Sequence, residues 1–355
     1  MKTELGRLIA RRIALTGPIS VAEFMAEALG HPRLGYYRRA LPVGAAGDFT
    51  TAPEISQMFG ELIGAWLADR WLAMGKPSPV ALVELGPGRG SLMADALRAT
   101  RGVPGFHAAL RLHLVETNAP LRTEQQRALE GFKPAWHERF DEVPVGPLLL
   151  VANEFFDALP VRQFQKTADG WHERMVGLAP DGDTLAFALA PGVTPLARFL
   201  PNAAEGAQAE IGEAGRALAS AIGARLRRDG GWALIIDYGY ESGAGASLQA
   251  VRAHRGAGIL DRPGETDLSA HVDFAALAAA ANAPTFGPVS QADFLRRLGI
   301  VQRAESLKGR ATDAQRAAID AALARLIDPD QMGTLFRVLA VGDGRSTPAG
   351  FSEAS

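Results

Sequence analysis

The sequence predicts an α/β fold: a doubly wound, mostly parallel sheet of seven strands, with a helical amino-terminal cap and a β/α insertion. Three observations carry this. From about residue 80, short apolar runs alternate with helical patterns, as a parallel sheet with crossover helices requires. One run leads into the glycine-rich turn Gly86-Pro87-Gly88-Arg89-Gly90, which opens a helix. Another, Leu148-Leu149-Leu150-Val151, stops abruptly in Asn153-Glu154-Phe155-Phe156-Asp157. Acids at that end of a buried strand lie where open α/β sheets hold their ligands.

The elements follow in order. Residues 1 to about 75 read as a helical cap or lid, interrupted by the loop "HPRLGYYRRALPVGAAGDF". Thr51 and Glu54 have capping-box spacing ahead of "EISQMFGELIGAWLADRWLAM", a helix with an apolar face. The sheet-bearing domain would then run over residues 76–345. Its strand candidates are "VALVEL", "LRLHLVE", "PLLLVA", "GWALIID" and finally "LFRVLAVG". Residues from about 162 to 230 exceed one crossover: meandering strands turn at Asp169-Gly170 and Asp181-Gly182, and "AEGAQAEIGEAGRALASAIGARLRRDG" reads as a long helix. "VDFAALAAAANA", "QADFLRRLGI" and "DAQRAAIDAALARLI" are helical, and residues 346–355 read as a flexible tail.

Composition excludes several classes. The 355 residues are 47% hydrophobic and 21% charged, enough to build a large core, and the net charge of −2 offers no footprint for nucleic acid or anionic lipid. There is no cysteine, which removes disulfides, thiolate metal sites and a cysteine nucleophile, and suits a reducing compartment. The seven histidines show no metal-ligand spacing. No run is long and apolar enough to insert in a membrane. The amphipathic start carries Glu4 and runs into a second helical pattern, so we expect a folded first helix rather than a transit peptide, in a cytoplasmic protein.

The glycine turn lets backbone approach a ligand closely, and the next strand ends in "LVETN", placing Glu116 to accept from two ribose hydroxyls. Any adenosine ligand with a free ribose would suit this pair, a nicotinamide dinucleotide included. Glu84, two residues before Gly86, would face a positively charged group better than a pyrophosphate.

These residues also carry a resemblance. "ELGPGRG", "VETN" and "NEFFDALP" resemble class I S-adenosylmethionine-dependent methyltransferases; "GDFTTAPEISQMFGELIGAW", "NEFFDALPVRQF", "IDYGY" and "HVDF" are similar to the MidA family. That family includes the mitochondrial arginine methyltransferase needed for assembly of respiratory complex I. The resemblance implies a Rossmann-like sheet whose final strand is antiparallel, S-adenosylmethionine as cofactor, and a protein arginine as acceptor, in a complex I subunit. Gly86, Gly88 and Gly90 carry over as the cofactor loop, Glu116 as the ribose acid, and Asn153 through Pro160 as the fourth-strand motif. Only the resemblance draws Asp48, in a glycine-rich loop, toward the cofactor. The mitochondrial targeting sequence is not seen, so the chain looks like a bacterial relative.

Glu154 and Asp157, three residues apart, share a face if the segment turns helically, and two carboxylates can grip a planar, forked guanidinium. Asn153 could bond the amino-acid end of the cofactor. Lysine or a small amine could use the same acids, so a small-molecule methyltransferase stays open at this point, as does an assembly factor that binds cofactor without turnover. The tyrosines fall into two pairs, Tyr36 with Tyr37 and Tyr238 with Tyr240, and suit either a half-wet cleft or loop anchoring. His271 could be a base or a local structural group.

Overall fold

The computed structural model describes residues 3–39, 51–241 and 245–351. Seven strands form its main sheet: β1 Val80–Leu85, β2 Leu110–Val115, β3 Ala135–His137, β4 Leu148–Asn153, β5 Gly231–Tyr240, β6 Thr285–Ser290 and β7 Phe336–Val341. Their spatial order is β6-β7-β5-β4-β1-β2-β3. β1 to β5 run parallel, while β7 is antiparallel to both β5 and β6. A two-residue strand, Val272–Asp273, adds to the end of β5. The order reverses between β1 and β4, so their carboxyl ends flank the crevice at which such sheets bind ligands.

The apolar run of β4 is continuous because both faces of the sheet are covered. Leu149 and Val151 enter one core with Trp66, Trp232 and Phe294; Leu148, Leu150 and Ala152 enter the other with Ile222, Phe274 and Leu277. Helices of eight residues or more are α1 Glu4–Thr16, α2 Val21–Gly30, α3 Gln57–Ala73, α4 Ser91–Ala99, α5 Ala119–Ala128, α6 Glu213–Asp229, α7 Phe274–Ala281, α8 Ile300–Lys308 and α9 Asp313–Ile327.

Several expectations need correction. The capping box at Thr51 does not form: the Thr51 side chain makes no cap bond, and Glu54 instead accepts from the Ser91 hydroxyl at the start of α4. The helix expected there breaks at Ser56, whose hydroxyl accepts from Met58 N at 3.2 Å and starts α3 afresh. α3 has no single apolar face, because it is buried on most sides within the first core of the sheet. α6 starts later than the sequence pattern suggests, since Gln208–Ile211 is a strand paired with Arg162–Lys166. β3 and β6 escape the periodicity. β3 is only three residues long, and β6 carries Gly287-Pro288 at an irregularity between Phe286 and Val289, on a sheet edge where proline is tolerated. The tail is not free through residue 351: Phe351 is buried against Phe286 and Phe294, and Trp66 donates to Ala349 O.

The insertion strands Arg162–Lys166, Trp171–Leu178, Leu185–Leu189 and Gln208–Ile211 form an antiparallel sheet. Ile19–Ser20, from the amino-terminal segment, pairs with the same Trp171–Leu178 strand. Ser20 then caps α2, with Glu23 N donating to its hydroxyl at 3.1 Å and Ser20 N donating to the Glu23 carboxylate at 2.9 Å. A third core, including Ile9, Phe24, Met25 and Val176, seals these two distant stretches of chain into one unit. Among the described residues no helix is long and apolar enough to cross a membrane.

Candidate active site

The turn after β1 takes backbone conformations that favour glycine: φ is +62° at Gly86, +51° at Gly88 and +87° at Gly90. The three have different neighbours. A Cβ on Gly86 would lie 2.7 Å from the Phe155 ring, whereas one on Gly90 would press on the Gln125 backbone of α5 at 3.3 Å. Gly90 therefore serves the approach of α4 to α5, and Gly86 and Gly88 line a cavity.

At the end of β2, Glu116 is held from two directions. Its Oε1 accepts from Asn118 N at 2.7 Å and its Oε2 from Gln125 Nε2 at 3.2 Å. The same Gln125 amide donates to Gly88 O at 2.7 Å, and its carbonyl accepts from Trp136 Nε1 at 2.8 Å. One buried glutamine thus ties the acid to the glycine turn. Burial raises the Glu116 carboxyl above its ordinary range, opposed by these donors. Glu84 is buried on β1, and burial with the nearby Glu116 charge pushes it up to about 8; its Oε2 has no hydrogen-bond partner.

β4 ends in a second cluster. Glu154 sits at φ +51°, a strained conformation for a side-chain-bearing residue, fixed by its N–H donating to Ile236 O at 2.9 Å. A short 3₁₀ turn, Phe156–Ala158, follows. Asp237 at the end of β5 holds this turn: its Oδ2 accepts from Phe155 N at 3.1 Å, Phe156 N at 2.9 Å and Asp157 N at 3.2 Å. Tyr238 donates its hydroxyl to Asp157 Oδ2 at 2.8 Å. Glu154 Oε1 accepts from Ala52 N at 3.0 Å and from Asn153 Nδ2 at 3.2 Å, while Asn153 Oδ1 is buried without a partner.

Burial pushes Glu154 up to about 7 and Asp157 up to about 6, with Asp157 also raising Glu154. Asp237 is raised by burial and by the Asp157 and Glu154 charges, against the backbone N–H groups that favour its anion. Three carboxyls this close share their protons and titrate as a set. Among the described residues none of the three makes a salt bridge to a cation.

Both clusters open into one cavity of about 610 Å³. Gly86, Gly88 and Glu116 line it from the ends of β1 and β2, and Glu154, Phe155 and Asp157 from the end of β4, with the Phe155 ring against Gly86. Glu84, Gly90 and Asn153 do not line it, and Asp48 lies outside the described residues. Phe155 and Phe156 part company: Phe155 faces the cavity while Phe156 is buried in the second core. Tyr36, Tyr37, Tyr238 and His271 join the lining; Tyr240 faces a smaller neighbouring cleft. Asp273 caps α7, accepting from Ala276 N at 2.9 Å. The contact of Tyr238 with Asp157 joins residues 81 positions apart, and nothing local in the sequence announces it.

A family model described as "Putative S-adenosyl-L-methionine-dependent methyltransferase" matches residues 62–289, which span the whole cavity edge of the sheet from β1 to β5. The chain belongs to the MidA family of S-adenosylmethionine-dependent methyltransferases. Among curated relatives of this MidA-family chain, the zebrafish (Danio rerio) "Protein arginine methyltransferase NDUFAF7, mitochondrial" is 37% identical, over 94% of this chain and 85% of its own. The Homo sapiens protein of the same name is 34% identical over 96% and 83%. A Burkholderia thailandensis structure bound to S-adenosyl-homocysteine superposes with a TM-score of 0.84 at 29% identity, covering 98% of this chain and 93% of that one.

Proposed function

We propose that this MidA-family protein transfers a methyl group from S-adenosylmethionine to an arginine side chain of a partner protein. The observation that carries the reading is the acceptor end of the cavity, where Glu154 and Asp157 stand together and raised with no salt bridge among the described residues, Arg325 acting on Glu154 only from farther off. A guanidinium supplies the missing charge and the forked donors that two carboxylates accept. The relatives named as arginine methyltransferases support the same acceptor. The partner we propose is a subunit of respiratory complex I, following the family resemblance, and the place of action the bacterial cytoplasm, which the absence of cysteine suits.

The residues fit the cofactor. Gly86 and Gly88 leave backbone open along the cavity, and Glu116, oriented by Asn118 and Gln125, suits ribose hydroxyls. Glu84 and Asn153, whose unpartnered oxygens are buried, do not line the cavity, and no contact with the cofactor is assigned to them. When bound, the cofactor supplies a methyl group on a sulfonium for in-line displacement, so the protein's task is orientation. Glu154 and Asp157 hold the guanidinium in line, and Phe155 lines the cavity beside them with its ring against Gly86. As the nitrogen gains its new bond to carbon it sheds a proton, which a carboxylate near neutral pKa takes up. Glu154, at about 7, is placed for that step.

The test is mass spectrometry of proteins whose methylation disappears when the gene is deleted, followed by transfer to the identified partner with purified enzyme. Methylarginine is the expected product. Methyl-lysine overturns the arginine reading, and tight cofactor binding without any turnover would turn the protein into an assembly factor.

A further inference from the structure

We propose that Tyr238 is a positioning residue of the acceptor site, its hydroxyl fixing the orientation of the Asp157 carboxylate and holding it ready for a cation. This rests on the acceptor reading above but gives a role to Tyr238 that the sequence left open between a half-wet cleft and loop anchoring. β5 does not stop at Asp237; it continues through Tyr240, and successive residues of this one strand serve the same turn in different ways. Asp237 holds the turn's backbone through three N–H groups and accepts from Tyr238 N at 2.9 Å. Tyr238 holds the side chain, donating to Asp157 Oδ2 at 2.8 Å.

The phenol itself has little freedom. Its ring lies edge-on to His271 with centroids 5.3 Å apart and against Phe336 at 5.6 Å. Ser269 hydrogen-bonds its hydroxyl. A donor fixed in this way presents one direction to Asp157.

Titratable and charged groups stand near Asp157 on several elements. Glu154 lies on its own turn, Asp237 and Tyr238 come from β5, Tyr37 approaches from the amino-terminal segment with Asp267 against it, His271 follows the Asp267–Ser269 strand, and Arg325 of α9 lines the same cavity and acts on Glu154. Burial favours the protonated form of Asp157; Tyr238 donates to the carboxylate and is the largest influence favouring its charged form, followed by the Ala158 and Asp157 N–H groups. Removing the donor therefore moves the Asp157 titration upward.

The experiment needs no acceptor protein. Carbon-13-labelled aspartate is incorporated, the side-chain signal of Asp157 is assigned by its loss in Asp157→Asn, and its titration is followed in wild type and Tyr238→Phe with S-adenosyl-homocysteine present. Phe keeps the ring and its packing. The midpoint is expected to rise by about one pH unit, the effect of losing one hydrogen bond to a charged group. Incorporating 3-fluorotyrosine at 238, a stronger donor, is expected to move it the other way, and covers the case in which Tyr238→Phe folds poorly. An unchanged midpoint in both proteins overturns the proposal. Once the partner is identified, the rate deficit of Tyr238→Phe should be largest at low pH and shrink as pH rises; a loss equal at all pH values would mark a merely structural residue. Full activity of Asp157→Asn would instead remove the acceptor reading itself, so the two failures are distinct.

Discussion

The two ends of the cavity are built on opposite principles. At the cofactor end the acid is satisfied: Glu116 accepts from Asn118 and Gln125, and Gln125 also ties down Gly88 and Trp136. At the acceptor end the acids are crowded. Asp157 and Asp237 are buried and Glu154 is half-buried beside them. Burial raises all three, the Asp157 charge raises Glu154, and both raise Asp237. The hydrogen bonds they accept come from neutral donors, with the Arg325 charge acting on Glu154 from farther off. The first arrangement preorganises a neutral, hydroxylated surface. The second stores unfavourable electrostatics that a bound cation relieves, so ligand binding there is coupled to proton release. On the proposed reading, the difference separates what each end recognises: a nucleoside at one, a positively charged side chain at the other.

Breaking the cofactor end should give the largest effect. In Gly88→Val a branched side chain at φ +51° both strains the turn and fills the cavity, so cofactor affinity should fall by more than about a hundredfold. Calorimetry with S-adenosyl-homocysteine decides this, and retained affinity would detach the glycine turn from the cofactor.

Next in size is the clamp beneath the acceptor end. Asp237→Ala leaves three buried N–H groups of the Phe155–Asp157 turn without their acceptor and should cost about 3 kcal/mol or more in stability. Denaturant unfolding measures it, and a loss under about 1 kcal/mol would mean that the turn stands without Asp237.

Glu116→Ala should weaken the cofactor by about 1–3 kcal/mol and leave the acceptor acids untouched. Equal affinities of mutant and wild type would show that Glu116 serves only its own network.

The smallest effect sharpens the contrast through pH. Glu154 titrates near 7 when folded, above the ordinary carboxylate range that it has when unfolded. The folded state therefore binds the extra proton: this stability is fully present below about pH 4 and is lost as pH rises through 7. Glu154→Gln removes that slope. Discounted for its partial exposure, the variant should be about 1–2 kcal/mol more stable than wild type at pH 8 and no more stable at pH 4. Thermal unfolding at both values checks it; equal stability at pH 8 would argue that the acceptor end stores no electrostatic strain.

How much of this was legible depends on how local the signal is. β1, β2, β4 and β5 are apolar runs whose both-sided burial leaves a direct mark, and the glycine turn and Glu116 sit at fixed offsets from them. β3 and β6 left little mark, one being too short and the other interrupted by Gly287-Pro288. The capping box at Thr51 misled because Glu54 has a better partner in Ser91, on another helix. Glu154 and Asp157 could be picked out from the end of β4, but what orients them could not. The Asp237 clamp, the Tyr238 phenol and the Ala52 N–H reach them across 80 residues or more. Long-range side-chain contacts leave no periodicity, and the union of the amino-terminal segment with the insertion through Ile19 and Val176 is invisible for the same reason.

The most direct test of the account pairs two measurements on Glu154→Gln, which keeps the side chain's size and removes its charge. Calorimetry should give wild-type affinity for S-adenosyl-homocysteine. Methyl transfer to the identified partner, followed by mass spectrometry, should fall about ten- to hundredfold, corresponding to about 1.5–3 kcal/mol for one lost charge-assisted contact to the guanidinium. Full transfer activity would contradict the assignment of the acceptor end, as would a variant that loses cofactor binding and activity in equal measure.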